Sequence, residues 1–260
     1  MITPKKQLGQ HWLNDESSLL AMAEAVLVDI NDDVLEIGPG LGSLTQMLID
    51  KGAKVTAVEL DENLSSSLKN RIKGAGGNLE IISQDILKFD FNQLPSGYKI
   101  VANIPYYLSS HLLRIICEAN NPPVQAALLV QKEVAKRVCA QQGSMSILSV
   151  STQLYFEPSL GTMVPAQLFT PPPKVDSQIL ILKRRKNPLF GDQNPKLLLK
   201  LVKAGFSERR KKLRSSLSGG LHISKAQADD LLIKAEIDGD LRAQNLAISD
   251  WLKLAKTFDK

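Results

Sequence analysis

Val34-Leu35-Glu36-Ile37-Gly38-Pro39-Gly40-Leu41-Gly42 is a short apolar run that carries a carboxylate and then breaks into three glycines at alternating positions. A helical pattern follows at once, with Leu41, Leu44, Met47 and Leu48 on one face. Strand, glycine-rich turn and helix, in that order, open a nucleotide-binding βαβ unit. Glycine is needed there because the chain turns tightly and a ligand approaches the backbone where a Cβ would stand. Such turns also end ordinary strands, so the turn alone names no ligand.

The next elements narrow the choice. Lys54 to Val58 reads as a second strand that runs into Glu59-Leu60-Asp61. Glu59 lies 21 residues after Gly38, where folds of this kind place a carboxylate that accepts from ribose hydroxyls. A dinucleotide turn of the form G-x-G-x-x-G needs its third glycine at Ser43, but here it comes one residue early, at Gly42. No arginine or lysine neighbours the turn in sequence to hold a pyrophosphate. A ligand with a ribose and no phosphate fits better, and S-adenosylmethionine is the common one. A solvated helix cap is the plain alternative for Glu59.

The 260 residues allow one large domain or two smaller ones, and 43% hydrophobic with 23% charged residues is ordinary globular composition. Cys117 and Cys139 fall inside helical patterns, as expected of reduced structural thiols in a cytoplasmic protein. No apolar run is long enough for a membrane span and no apolar signal core opens the chain. No metal-ligand spacing is present. Charge is uneven: residues 183–260 hold 18 Lys and Arg against 9 Asp and Glu, and residues 1–182 hold 14 against 18. A basic tail beside a mildly acidic body suggests two modules, with nucleic acid the natural partner of the tail. The break is expected between Lys183 and Pro195, giving a catalytic domain over 1–185 and a helical domain over 190–260.

In chain order, residues 1–13 form a polar, basic arm, and a helix is expected from Asp15 to Val28. Asn78 to Ser83 is a third strand, leading into Gln84-Asp85-Ile86. There Asp85 either accepts from an adenine amino group or forms a turn. Tyr98 to Ala102 is a fourth strand, ending in Asn103-Ile104-Pro105-Tyr106. This tetrapeptide offers an amide, a backbone carbonyl and an aromatic ring at one strand end, with proline fixing the turn. That set suits methylation of an exocyclic base amine, whose lone pair is delocalised into the ring. The Asn103 oxygen and the Ile104 carbonyl can accept its two hydrogens and favour a pyramidal nitrogen. Tyr106 can stack on the base. The plain alternative is an Asn-x-Pro turn closing a strand.

With these residues in place, the chain resembles the ribosomal small-subunit RNA adenine dimethyltransferases, relatives of the large-subunit methyltransferases of macrolide resistance. The likeness spans nearly the whole chain. It rests on Lys6 to Leu13, Glu36 to Gly42 and Asn103 to Tyr106, on Phe169-Thr170-Pro171-Pro172-Pro173-Lys174-Val175-Asp176-Ser177, and on Ala204 to Arg214. It implies a Rossmann-like seven-stranded methyltransferase sheet with a smaller C-terminal helical domain. It also implies S-adenosylmethionine as cofactor and dimethylation of two adjacent adenines near the 3′ end of small-subunit RNA. By position, Gln10, His11, Leu13, Glu36, Gly38, Gly40, Glu59, Leu60, Asp85, Ile86 and Asn103 would hold the cofactor. Asn103, Pro105 and Tyr106 would carry the chemistry, with Phe169 sandwiching the base opposite Tyr106. Trp12 departs from the family's usual phenylalanine.

Between the motifs, helices are expected over Leu108–Ala119 and Lys132–Ala140, a strand over Gln125–Val130, and edge strands over Ser146–Tyr155 and Gln178–Leu182. From Leu197 on the tail reads as helical, interrupted by Arg209, Arg210, Lys211, Lys212 and Arg214. A charge run is commonly a solvated face. Beside an acidic catalytic body it is expected to meet RNA phosphates through Arg209, Arg210, Lys211 and Arg214. The chain is expected to act as a monomer on ribosomal RNA or the small subunit. The competing readings are a large-subunit adenine methyltransferase, a NAD-linked oxidoreductase that would leave Asn103 to Tyr106 unused, and a ribosome-assembly factor that binds RNA with little catalysis.

Overall fold

The structure, a computed structural model, describes residues 3–5 and 8–259. Lys6 and Gln7 of the arm motif lie outside the described residues. A two-residue strand β1 (Trp12–Leu13) precedes α1 (Glu16–Ala25), whose N-terminus is capped by the Asp15 carboxylate on the Ser18 N–H. Then come β2 (Asp33–Ile37), α2 (Ser43–Asp50), β3 (Lys54–Glu59), α3 (Glu62–Arg71) and β4 (Leu79–Ser83). The chain continues through β5 (Lys99–Asn103), α4 (Ser109–Glu118), β6 (Gln125–Gln131) and α5 (Lys132–Val138). After α6 (Ile147–Gln153) come β7 (Phe156–Val164), β8 (Phe169–Thr170) and β9 (Ser177–Arg184). Four helices follow: α7 (Pro195–Gly205), α8 (Leu213–Leu221), α9 (Lys225–Lys234) and α10 (Ile248–Phe258).

Among the described residues, seven strands form one sheet in the order β4-β3-β2-β5-β6-β9-β7. The β4-to-β6 strands are parallel, and β9 returns antiparallel to β6. β2 reads as a nearly continuous apolar run because parallel strands are covered on both faces, and Val34, Leu35 and Ile37 are all buried. Leu19, Met22 and Ala23 of α1 join Leu44 and Leu48 of α2 against Val34, Val55, Val101, Ala127 and Leu129 of the sheet. The strand order reverses between β2 and β5. Crossovers leave there in opposite directions, so the C-terminal ends of these strands open a crevice.

Two compact units emerge: residues 1–135 with 157–184, and residues 136–156 with 185–260. The expected single break does not describe this, because residues 136–156 belong to the second unit. The stretch Ser146–Tyr155 likewise holds the helix α6 (Ile147–Gln153) rather than an edge strand. Its capping box joins Ser146 N to Ser149 Oγ at 2.7 Å and Ser149 N to Ser146 Oγ at 3.1 Å. Gln153 Nε2 donates to the carbonyls of Val138 and Ala140, which ties the buried side of α6 to the end of α5. Isoleucine, valine and threonine here gave strand-like alternation that the caps and packing override. In the second unit, a Cβ on Gly220 would stand 2.6 Å from Ala204 Cα, so glycine lets α8 lie directly on α7. Phe206 and Trp251 stack at 5.7 Å between ring centroids, joining α7 to α10. No helix among the described residues is long and apolar enough to cross a membrane.

Candidate functional site

A cleft opens at the C-terminal ends of β2, β3 and β5. Its walls are the arm from Leu8 to Asn14, the turn from Glu36 to Leu41, Val58 to Leu60, Gln84 to Leu87, and Asn103 to Leu108. The chain thus brings together Gln10, His11, Leu13, Glu36, Gly38, Gly40, Glu59, Leu60, Asp85, Ile86, Asn103, Pro105 and Tyr106.

The turn is shaped by its glycines. Gly38 has φ +66° and a Cβ there would meet nothing within 4 Å, so the empty volume beside it belongs to the cleft. Gly42 has φ +91° and a Cβ would fall 2.8 Å from Leu68 and Ile72, so this glycine serves close packing of α2 on α3. Trp12 packs on Gly40, where a Cβ would lie 3.2 Å from the indole Cδ1, so the departure at position 12 is absorbed by turn packing. One cation reaches the turn from behind: Arg71 of α3 donates to the Gly40 carbonyl at 3.4 Å.

Four carboxylates lie on or near this turn. Glu59 Oε2 accepts from the Gly40 N–H at 3.1 Å and Oε1 from the Asp61 N–H at 3.0 Å. Burial raises its carboxyl above the ordinary value against those two stabilising N–H groups. A carboxylate offers about four lone-pair sites, so acceptor capacity remains for a ribose hydroxyl. The helix-capping role belongs instead to Asp61, which caps α3 on the Asn63 N–H. Burial pushes Asp61 up, but hydrogen bonds from Lys5 and Asn63 overcome it and hold the group below its usual range. Glu36 is 1% exposed, and among the described residues neither of its oxygens meets a donor at full hydrogen-bond geometry, with Thr45 the nearest donor to it. Burial pushes its carboxyl up to about 8, with Thr45 pulling the other way and the charge of Glu59 adding to the rise. Asp85 accepts from the Leu87 N–H at 3.0 Å and so forms a turn at the cleft edge.

The described residues of the arm are fastened at several points. Lys5 Nζ is 2.8 Å from Asp61 Oδ2, and Gln10 Oε1 accepts from the Lys5 N–H at 2.7 Å. β1 pairs with β8, Trp12 opposite Thr170 and Leu13 opposite Phe169. His11 Nδ1 lies 2.7 Å from the Pro171 carbonyl, which only accepts, so this nitrogen carries the proton. The His11 carbonyl in turn accepts from Asn103 Nδ2 at 3.1 Å. Rotating that amide by 180° would set two oxygens against each other, so Oδ1 of Asn103 is the end left to accept.

Tyr106 begins the single turn Tyr106–Leu108 after Pro105, its ring 20° from parallel to His11 at 5.9 Å, and burial raises its phenol. Phe169 departs from expectation. It is 3% exposed, is part of the apolar core and does not line the cleft, because the ladder with Leu13 turns its ring inward. An exposed aromatic that sequence reading assigned no role, Tyr107, lines the cleft at 61% exposure. Lys5, Asp61 and Arg71 were also missed, since only the fold brings them to the turn.

In the second unit, Arg209, Arg210 and Lys211 are exposed and make no ion pair among the described residues. Arg214 differs from them. It pairs with Asp229 and Asp240, because the start of α8 faces those carboxylates. Lys212 also pairs with Asp240, at 3.0 Å.

The strand order, the glycine turn and the acid at the end of β3 define a Rossmann-like methyltransferase. The family model for ribosomal RNA adenine dimethylase matches residues 1–260, and the chain belongs to that family. Among relatives, the ribosomal RNA small subunit methyltransferase A of Dehalococcoides mccartyi (strain CBDB1) is 40% identical over 257 residues, covering 98% of this chain and 88% of the relative. That of Fusobacterium nucleatum is 35% identical, covering 98% and 97%. Among solved structures, a dimethyladenosine transferase from Plasmodium falciparum aligns with TM-score 0.82 at 28% identity, covering 96% of this chain and 98% of that one. The 23S rRNA methyltransferase ErmE aligns with TM-score 0.75 at 29% identity, covering 96% and 100%.

Proposed function

We propose that this chain uses S-adenosylmethionine to dimethylate the exocyclic amines of two adjacent adenines near the 3′ end of small-subunit ribosomal RNA. It acts as a monomer in the cytoplasm, during assembly of that subunit. The observation that carries this reading is the orientation of Asn103, whose amide nitrogen is committed to the His11 carbonyl. Its oxygen is thereby an acceptor at the cleft, which is what an amine nucleophile needs.

The cleft fits the cofactor. Open space beside Gly38 admits a ligand against the backbone, and Glu59 keeps acceptor capacity for a ribose. Leu60, Asp85 and Ile86 would border its adenine, and Gln10, His11 and Leu13 its methionine end. When bound, the cofactor supplies an electrophilic methyl group. Asn103 Oδ1 and the Ile104 carbonyl would accept the two amine hydrogens in the first transfer and the one that remains in the second, so the nitrogen lone pair turns out of conjugation with the base, and each transfer releases one amine proton to water. Pro105 fixes the turn that sets these acceptors, and Tyr106 supports the base face. Positioning of this kind is worth several orders of magnitude without any proton-shuttling residue. Arg209, Arg210 and Lys211 would contact RNA phosphates, which place the RNA without reading its sequence. Arg214 would take part only by giving up its ion pairs.

Incubation with radiolabelled S-adenosylmethionine and separated 16S and 23S RNA tests the reading. Label in 16S RNA, with primer-extension stops at two neighbouring adenines, is the expected result. Label in 23S RNA alone would favour the large-subunit alternative, which the similarity to ErmE keeps in view. No label in either would overturn the enzymatic reading.

A further inference from the structure

We propose that Ser177 is a positioning residue for methyl transfer, holding the Tyr106 ring at the tilt in which it receives the target base. The proposal rests on the role given to Tyr106 above. The Tyr106 hydroxyl lies 2.7 Å from Ser177 Oγ, a hydrogen bond that joins residues 71 apart in sequence. Ser177 is the first residue of β9 and is fully buried, on the same strand face as the buried Ile179. A buried hydroxyl is unfavourable without a partner, and the partner it has is the tyrosine.

The serine is also rigidly placed. It sits opposite Gln131 in the β6–β9 ladder. The preceding Asp176 is fixed twice, its carbonyl accepting from the Lys132 N–H at 3.0 Å and its carboxylate from the Ala166 N–H at 3.1 Å. Tyr106, by contrast, stands on a single helical turn whose backbone says nothing about ring tilt. Tethered by Cβ at one end and its hydroxyl at the other, the ring cannot swing away from the cleft. In this position it lies 20° from parallel to His11. Burial keeps the phenol protonated, and because its hydroxyl is engaged by Ser177, Tyr106 offers the base a face rather than a hydrogen bond.

The test is a double-mutant cycle of Ser177→Ala and Tyr106→Phe, with Tyr106→Ala as reference. It reads kcat, KM for RNA and calorimetric cofactor affinity on the full chain. Each single change removes the same hydrogen bond. Each should therefore lower kcat about three- to tenfold, the range one neutral hydrogen bond spans, with cofactor affinity unchanged. The double variant should lose no more than either single one. Multiplying losses, or Tyr106→Phe at wild-type kcat, overturns the proposal while leaving the role of the ring intact. If Tyr106→Ala itself methylates normally, the role of Tyr106 fails and the proposal falls with it. Should Ser177→Ala fail to fold, Tyr106→Phe applies the same test from the half-buried end.

Discussion

In the cleft, Glu36 and Glu59 are 1% and 6% exposed beside the glycine turn, Glu59 held by the Gly40 and Asp61 N–H groups and Glu36 by burial close to the charge of Glu59. In the second unit, Arg209, Arg210 and Lys211 project into solvent with no ion-pair partner among the described residues. The first set is organised before any ligand arrives, in surroundings that amplify every charge. The second is organised by nothing but proximity, and salt screens it. Changes in the cleft should therefore act strongly and depend on pH, whereas changes in the basic run should act modestly and depend on ionic strength.

The sharpest test of that contrast is Asn103→Ala. Cofactor affinity should stay within a few-fold while the single-turnover rate of methyl transfer falls by orders of magnitude, because the amide oxygen acts on the amine as it reacts. A near wild-type rate would remove the mechanism. Next in size is the cofactor wall. Glu59→Ala should weaken S-adenosylmethionine binding by about 1.5–3 kcal/mol in calorimetry, the worth of hydrogen bonds to a charged acceptor. Gly38→Val should cost at least as much, since its side chain enters the open space beside the turn. Unchanged affinity in Glu59→Ala would show that this carboxylate serves only the Gly40 and Asp61 N–H groups.

A third measurement follows stability against pH. Burial pushes the Glu36 carboxyl up to about 8 in the fold from an ordinary value of 4.5, so the folded state holds the proton more tightly. Its contribution to stability is full below pH 4.5 and is lost as pH rises through 8. Glu36→Gln should flatten that fall and melt above wild type at pH 8, each kcal/mol being worth about 2–4 °C for chains of this order of size. Equal slopes for both proteins would mean Glu36 is ionised in the fold. The smallest effect belongs to the exposed run. Arg209→Gln, Arg210→Gln and Lys211→Gln together should lower RNA affinity and reduce the log–log salt slope by roughly 0.7 to 0.9 per lost contact. Cofactor affinity should not change. Adding Arg214→Gln should leave the slope where it was, because that guanidinium is already paired; a further drop in filter binding would show that RNA displaces Asp229 and Asp240.

The glycine turn, the parallel strands and the acids that end them, and the Asn103–Tyr106 segment at its strand end are all legible in the order of residues. Each is a local signal: chain reversal demands glycine, a doubly covered strand demands an apolar run, and proline fixes its own neighbourhood. The charge pattern suggested one break near residue 185, whereas the chain crosses between the units three times; the excursion of residues 136–156 left no mark in charge, since partner helices and a serine capping box decided it. Phe169 looked like a ligand-facing aromatic because composition cannot distinguish one face of a two-residue strand from the other; pairing with Leu13 turned it inward. The basic run read as one cluster, yet facing carboxylates from α9 and the loop beyond it divided Arg214 from Arg209, Arg210 and Lys211. Lys5 on Asp61, Asn103 on His11 and Tyr106 on Ser177 were decided only by the tertiary structure. Their partners are 56, 92 and 71 residues apart, and a hydrogen bond leaves no trace in the sequence between its ends.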